Sequence, residues 1–67
     1  MEKLNYIILH DGKAYRVFER LGKQVPFDAY NPQKHLGIGE TVEDAINNSS
    51  VPVYLIEQKP YEVMFNE

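Results

Sequence analysis

The sharpest pattern in the chain is the alternation of apolar and polar side chains on either side of Asp11-Gly12. Residues Leu4 to His10 and Lys13 to Leu21 are rich in aromatic and branched side chains. An aspartate followed by glycine tolerates the positive φ angles of a two-residue type I′ turn, so the pattern predicts a hairpin. With Asp11 and Gly12 as its loop, His10 faces Lys13, Leu9 faces Ala14, Ile8 faces Tyr15, Ile7 faces Arg16, Tyr6 faces Val17 and Leu4 faces Glu19. Successive strand residues point to opposite faces. That sorts Leu4, Tyr6, Ile8, Tyr15, Val17 and Leu21 onto a core face. The opposite face carries Asn5, Ile7, Leu9, Ala14, Arg16, Phe18 and Arg20, and is either partly covered or open to a partner.

Beyond Leu21 the alternation fades. Gly22-Lys23 suggests a second turn, and Gln24 to Phe27 reads as a short edge strand or an extended loop, because Pro26 cannot donate to a ladder. Asp28 to Gly39 contains Asn31-Pro32 and two glycines and reads as a turn-rich connection, the expected functional loop. A helix is announced by Thr41-Val42-Glu43-Asp44: the threonine caps a first-turn amide, and the acids sit at the positive end of the helix dipole. Val42, Ala45 and Ile46 give it one apolar side, and Asn47 to Ser50 followed by Pro52 stop it after about two turns. A helix that short is stable only when docked. Val53 to Gln58 and Tyr61 to Phe65 then read as strands broken by Lys59-Pro60, the first apolar on both faces and therefore central. The expected fold is α+β, a single domain over residues 1–67. Its order is β-β-(β)-α-β-β, a mostly antiparallel sheet with one short helix packed on one face.

Composition narrows the chemistry. The chain has 67 residues, a net charge of −3, 43% apolar residues and no cysteine, so the fold must rest on packing without disulfides or thiolate metal sites. Its longest apolar run, Tyr6 to Leu9, is far short of the roughly 20 residues of a membrane span, and no secretory leader is recognisable, which makes the cytoplasm the expected compartment. Charge is uneven: residues 1–34 hold six Lys/Arg against four Asp/Glu, and residues 35–67 hold one against six. The acidic second half suits a partner with a basic surface.

Catalytic groups do not converge. Ser49 and Ser50 lie at a fraying helix end, and Glu43 and Asp44 are accounted for by capping. His10 and His35, with Asp11 or Glu40, have no spacing that suggests a metal centre. Gly37-Ile38-Gly39 lacks the third glycine and the lysine of a phosphate loop, and the acids beyond it repel phosphate. These glycines read instead as a kink that delivers the chain to the helix cap. The expectation is no enzyme, no cofactor and no metal.

Two binding surfaces stand out. Five tyrosines and three phenylalanines are too many for so short a chain to bury, and tyrosine is enriched at protein interfaces. Phe27 and Tyr30 in the loop region, with Tyr61 and Phe65 near the C-terminus, are the expected exposed contacts, and Glu43 and Asp44 the acidic ones. Arg16, Phe18 and Arg20, alternating onto one strand face, form the competing surface, where an aromatic stacks on a base and guanidinium groups follow a nucleic-acid backbone. Sheet edges and small size also favour a homodimer.

The stretch Gly39-Glu40-Thr41-Val42-Glu43-Asp44-Ala45-Ile46-Asn47-Asn48 resembles the segment leading into the helix of HicB-like antitoxin domains. That family runs glycine, acid, threonine, aliphatic, two acids, alanine, aliphatic, any residue, asparagine after a hairpin. The resemblance implies a domain that neutralises a small toxic ribonuclease by direct contact. It covers ten of 67 residues; the helix of two turns and the insertion from Lys23 to Leu36 depart from the family. Two functions follow as expectations. One is a non-enzymatic protein-binding module, an inhibitor or regulator that occludes a partner. The other is a nucleic-acid-binding or HicB-antitoxin-like regulator using the basic hairpin face.

Overall fold

The computed structural model describes residues 5–22 and 25–64, with Asp28 given by its backbone alone. Two antiparallel strands, β1 (Tyr6–His10) and β2 (Tyr15–Glu19), form the expected hairpin. Its register pairs Tyr6 with Glu19, Ile7 with Phe18, Ile8 with Val17, Leu9 with Arg16 and His10 with Tyr15. The loop therefore runs from Asp11 to Ala14 rather than over two residues, a correction with a local cause. The Asp11 carboxylate accepts from the amides of Lys13 at 2.9 Å and Ala14 at 3.0 Å, closing the turn with its own side chain, while Gly12 takes the left-handed φ of 87°. Pairing slips by two residues from the expected register, and a slip of two leaves every side chain on its expected face. Leu4 lies outside the described residues. Leu21 is not core but 60% exposed, because β2 ends at Glu19.

The third strand is β3 (Gly37–Gly39), antiparallel to β2, so the glycines expected to form a kink are strand residues. Of the two readings of Gln24 to Phe27, edge strand or extended loop, the described residues show the second: Val25 and Pro26 are irregular, and Phe27–Ala29 is a 3-10 turn whose Tyr30 amide donates to Phe27 O at 3.2 Å. Lys23 and Gln24 lie outside the described residues.

Helix α1 (Val42–Ser49) starts where its cap predicts. Thr41 Oγ1 accepts from the Asp44 amide at 3.0 Å, and the helix ends at Ser50 in the left-handed conformation, φ 60°. Its proximity to β3 explains the glycines. A Cβ at Gly37 would stand 2.5 Å from Ser49 Cα, and one at Gly39 would stand 2.4 Å from Asp44 Cβ and 2.6 Å from the Ala45 nitrogen. Asn48 Nδ2 secures the same contact from the helix, donating to Ile38 O at 2.8 Å.

The last two expected strands become one interrupted edge. Val53–Leu55 is a 3-10 turn, Ile56 makes a single parallel bridge to Tyr6, and β4 (Tyr61–Glu62) pairs parallel with β1 through Leu9 and His10. Five steps from Ile56 to Tyr61 thus cover three steps of β1, and the surplus is looped out around Pro60, which has no amide to give. The segment from Val53 to Gln58 is accordingly peripheral, not central.

The sheet order is β3-β2-β1-β4, an α+β fold with one helix on a mostly antiparallel sheet. Ile8, Val17, Ala45 and Ile56 form the core beneath α1. Ile7, Leu9, Phe18 and Tyr30 form a second core on the opposite face, with Val25, Phe27, Tyr61 and Val63 packed against it. Among the described residues no helix is long and apolar enough to cross a membrane.

Candidate functional site

The second core is roofed by a loop, and Tyr30 is its centrepiece. The 3-10 turn at Phe27–Ala29 drops the Tyr30 ring edge-on against Phe18, with centroids 5.6 Å apart, and its hydroxyl accepts from the Leu21 amide at 2.9 Å. A second 3-10 turn, Pro32–Lys34, is capped by Asn31 Oδ1, which accepts from the Gln33 amide at 2.9 Å. It returns the chain to the sheet, where the Leu36 amide donates to Val17 O at 2.7 Å. Between the end of β2 and this loop lies a groove of about 410 Å³. Phe18, Leu21, Ala29, Tyr30 and Leu36 line it, with Glu19, Asn31 and Lys34 as its polar walls. Leu21 and Leu36 remain 60% and 42% exposed.

The expected aromatic contacts are placed differently. Tyr30, expected to be exposed, is only 3% exposed, because Phe18 needs a cover that the loop supplies. Phe27 and Tyr61 are half-buried and lie on each other, centroids 4.6 Å apart. Phe65 lies outside the described residues. Glu43 and Asp44 stand exposed in the first turn of α1, away from this aromatic cluster.

The open Arg16, Phe18, Arg20 face expected for nucleic acid is also corrected. Phe18 is 3% exposed beneath Tyr30, Arg16 pairs with Asp11, and Arg20 pairs with Glu57. Burial alone would raise the Asp11 pKa, but the Ala14 and Lys13 amides and the Arg16 guanidinium outweigh it and hold the carboxyl at about 2. Glu57 also accepts from the Tyr61 hydroxyl. That hydrogen bond, aided by burial, holds the phenol above its ordinary pKa while Arg20 opposes the shift.

The two histidines are separated in use. His35 Nδ1 lies 2.8 Å from Pro32 O, and His10 Nδ1 lies 2.8 Å from the Glu62 carboxylate. Among the described residues no three His, Asp or Glu side chains gather as metal ligands.

The residues that sequence reasoning missed are Leu21 and Leu36. The first was assigned to the core by extending the strand alternation past Arg20. Its position next to Gly22 was the available signal that the strand had already ended. No known protein family, no curated protein and no solved structure matches the chain, so the HicB-like stretch at 39–48 stays a local likeness.

Proposed function

We propose that this chain is a small non-enzymatic protein-binding module, an inhibitor or regulator that occludes a surface of its partner. The observation that carries this reading is the groove at the end of β2, an apolar concavity of about 410 Å³ flanked by two exposed leucines. Exposed aliphatic side chains around an apolar floor suit an aliphatic or aromatic anchor from a partner, since filling such a pocket removes both surfaces from water. Tyr30 is part of this floor, with Phe27 packed against its ring and Tyr61 against that of Phe27. The partner is a protein segment that presents such an anchor beside cationic residues. Among the described residues, exposed Glu19, Glu40, Glu43, Asp44 and Glu62 outnumber exposed Lys13, Lys34 and Lys59, while both arginines are spent on internal ion pairs. Three further acid–base groups are engaged within the fold: Asp11 by Arg16, Glu57 by Arg20 and Tyr61, and His10 by Glu62.

Selection of a random peptide library on the folded protein tests this reading. The expected peptides carry one large apolar residue next to Lys or Arg and shift the resonances of Leu21, Tyr30 and Leu36. Leu21→Ser with Leu36→Ser should weaken them at least tenfold with only a small loss of thermal stability, since both leucines are already partly in water. Selected peptides that perturb only other surfaces remove the groove from consideration. Single-stranded RNA is the comparison ligand, and salt-sensitive binding of RNA in place of peptide would overturn the protein-binding reading.

A further inference from the structure

The outer side of β2 is paired unevenly. In an antiparallel ladder successive residues send their backbone groups to alternate sides. The Arg20 amide donates to Asn5 O at 2.9 Å, on the β1 side, so Glu19 directs its N–H and C=O the other way, toward the row that β3 occupies. Val17 faces that row as well, and its carbonyl accepts from the Leu36 amide at 2.7 Å. Leu21, the next residue in the row, gives its amide to the Tyr30 hydroxyl at 2.9 Å. Pairing of β3 with β2 ends where Gly37 meets Val17, and the chain before Leu36 turns away into the Pro32–Lys34 segment. Among the described residues, Glu19 is thus the one member of this row whose N–H and C=O meet no backbone or side-chain partner. The same residue lies on the wall of the groove between Leu21 and Leu36.

The outer edges of the sheet offer less. On β3 the Ile38 carbonyl is already held by Asn48 Nδ2 at 2.8 Å, and β4 is two residues long and follows Pro60, which has no amide.

We propose that the groove takes an extended peptide segment by strand addition at Glu19, the segment carrying a cationic residue next to an apolar one. This rests on the protein-binding reading of the same groove and specifies how the partner is recognised. The guest residue opposite Glu19 donates its amide to Glu19 O and accepts from Glu19 N–H, the exchange that defines an antiparallel pair. Paired residues carry their side chains on one face. Glu19 shares its face with Val17, so the guest side chain stands beside an exposed carboxylate, where lysine or arginine is favoured. The neighbouring guest residue turns to the other face. There Phe18 and Tyr30 form the apolar floor, flanked by Leu21 and Leu36. Lys34, the other charged wall, belongs to the loop on that second face and stands with the apolar anchor. The pleat of a single strand therefore delivers each side chain to its matching surface.

The probe is the capped peptide acetyl-Ser-Leu-Lys-Leu-Ser-amide, titrated into isotopically labelled protein, with a series in which each backbone nitrogen is methylated in turn. The parent peptide should shift the resonances of Leu21, Tyr30 and Leu36 and raise hydrogen-exchange protection of the Glu19 amide about tenfold at saturation. Methylation of the lysine nitrogen removes the donor to Glu19 O and should weaken binding about tenfold. The leucine nitrogens point away from β2, and their methylation should have little effect. Glutamate in place of the peptide's lysine should weaken binding about threefold, and Glu19→Lys should reverse that preference. Groove shifts with an unprotected Glu19 amide, or equal effects of methylation at lysine and leucine, would overturn strand addition while leaving a side-chain pocket for the partner. Shifts confined to other surfaces would overturn both readings. Glu19 protection that rises with protein concentration before peptide is added would assign the position to a second copy of the chain and overturn the peptide proposal.

Discussion

On one face of the sheet, α1 lies so close to β3 that Gly37 and Gly39 have no room for a side chain, while on the other a loop with two single-turn 3-10 segments covers Ile7, Leu9 and Phe18 through Tyr30. The two roofs solve different problems. A helix satisfies most of its own backbone, so α1 is held by its Thr41 cap, the Asn48 bond to Ile38 O, an apolar side and a smooth strand beneath it. A loop has unsatisfied amides and carbonyls that must find partners elsewhere. Accordingly the loop is tied down at several points along its length: the Tyr30 hydroxyl accepts from the Leu21 amide, Asn31 Oδ1 accepts from the Gln33 amide, and the Leu36 amide donates to Val17 O. One roof works by subtraction of side chains, the other by their bulk and hydrogen bonding. The helical side is thus closed, and the groove opens at the margin of the loop, where Leu21 and Leu36 are only partly covered.

The strongest way to break the helical roof is to put back what the glycines omit. Gly37→Ala places a Cβ against the backbone of Ser49 and Ala45, which cannot rotate aside, and should cost about 3 kcal/mol in urea unfolding. That is most of the stability expected of so small a chain. Gly12→Ala is the matched control. Its Cβ would meet nothing within 4 Å, but φ is 87°, so backbone strain alone should cost about 1–2 kcal/mol. Equal losses at the two positions would mean that the helix retreats from β3 without penalty.

A second pair of variants compares the roofs directly. Ile8 and Ile7 are adjacent, fully buried and identical in chemistry, but Ile8 faces α1 and Ile7 faces the loop. Truncation to alanine costs more where the surroundings cannot collapse into the cavity. Ile8→Ala should lose about 2.5 kcal/mol and Ile7→Ala about 2 kcal/mol, because the 25–36 segment can settle onto the smaller side chain. A larger loss at Ile7, measured in the same denaturant series, would show the loop to be the stiffer cover.

The same contrast explains what could be read from the residues alone. The helix was legible because its signals are local: Thr41 three positions before Asp44, then Ala45 and Ile46 on one side. The hairpin faces were legible because alternation has a period of two, so the wrong loop length moved Tyr15 from Ile8 to His10 without moving any residue to the other face. The loop roof was not, because burial of Tyr30 depends on Phe18 and Phe27 meeting it in space, and no backbone period relates them. Val25, Phe27 and Tyr30 do recur in a segment otherwise rich in turn residues, a hint that it packs inward rather than outward. The candidate site was legible as a region, Asp28 to Gly39, but its lining was not, since Leu21 joins it only after the sheet has ended. The segment Val53–Leu55 has the composition of a strand, yet it follows Pro52 into a 3-10 turn, and pairing with β1 begins only at Ile56.

The smallest expected effect is also the most selective between the two faces. Asp11 titrates at about 2 in the folded protein against 3.8 as its ordinary value, so the folded state favours the carboxylate. The contribution is fully present above pH 4 and is lost as pH falls through 2. A shift of this size on a partly solvated group corresponds to about 1–2 kcal/mol. Asp11 and Arg16 lie at the edge of the loop-covered face, whereas the cap of α1 at Thr41 carries no charge to titrate. Lowering the pH from 4 to 2 should therefore broaden or shift the resonances of Leu9 and Phe18 before those of Val17 and Ala45. Asp11→Asn keeps an oxygen for the Lys13 and Ala14 amides but has no charge for Arg16, and should flatten the acid limb of stability in this window. If Asn at this position leaves the limb unchanged, the pH dependence comes from other carboxylates, and the ion pair contributes geometry to the loop side without measurable energy.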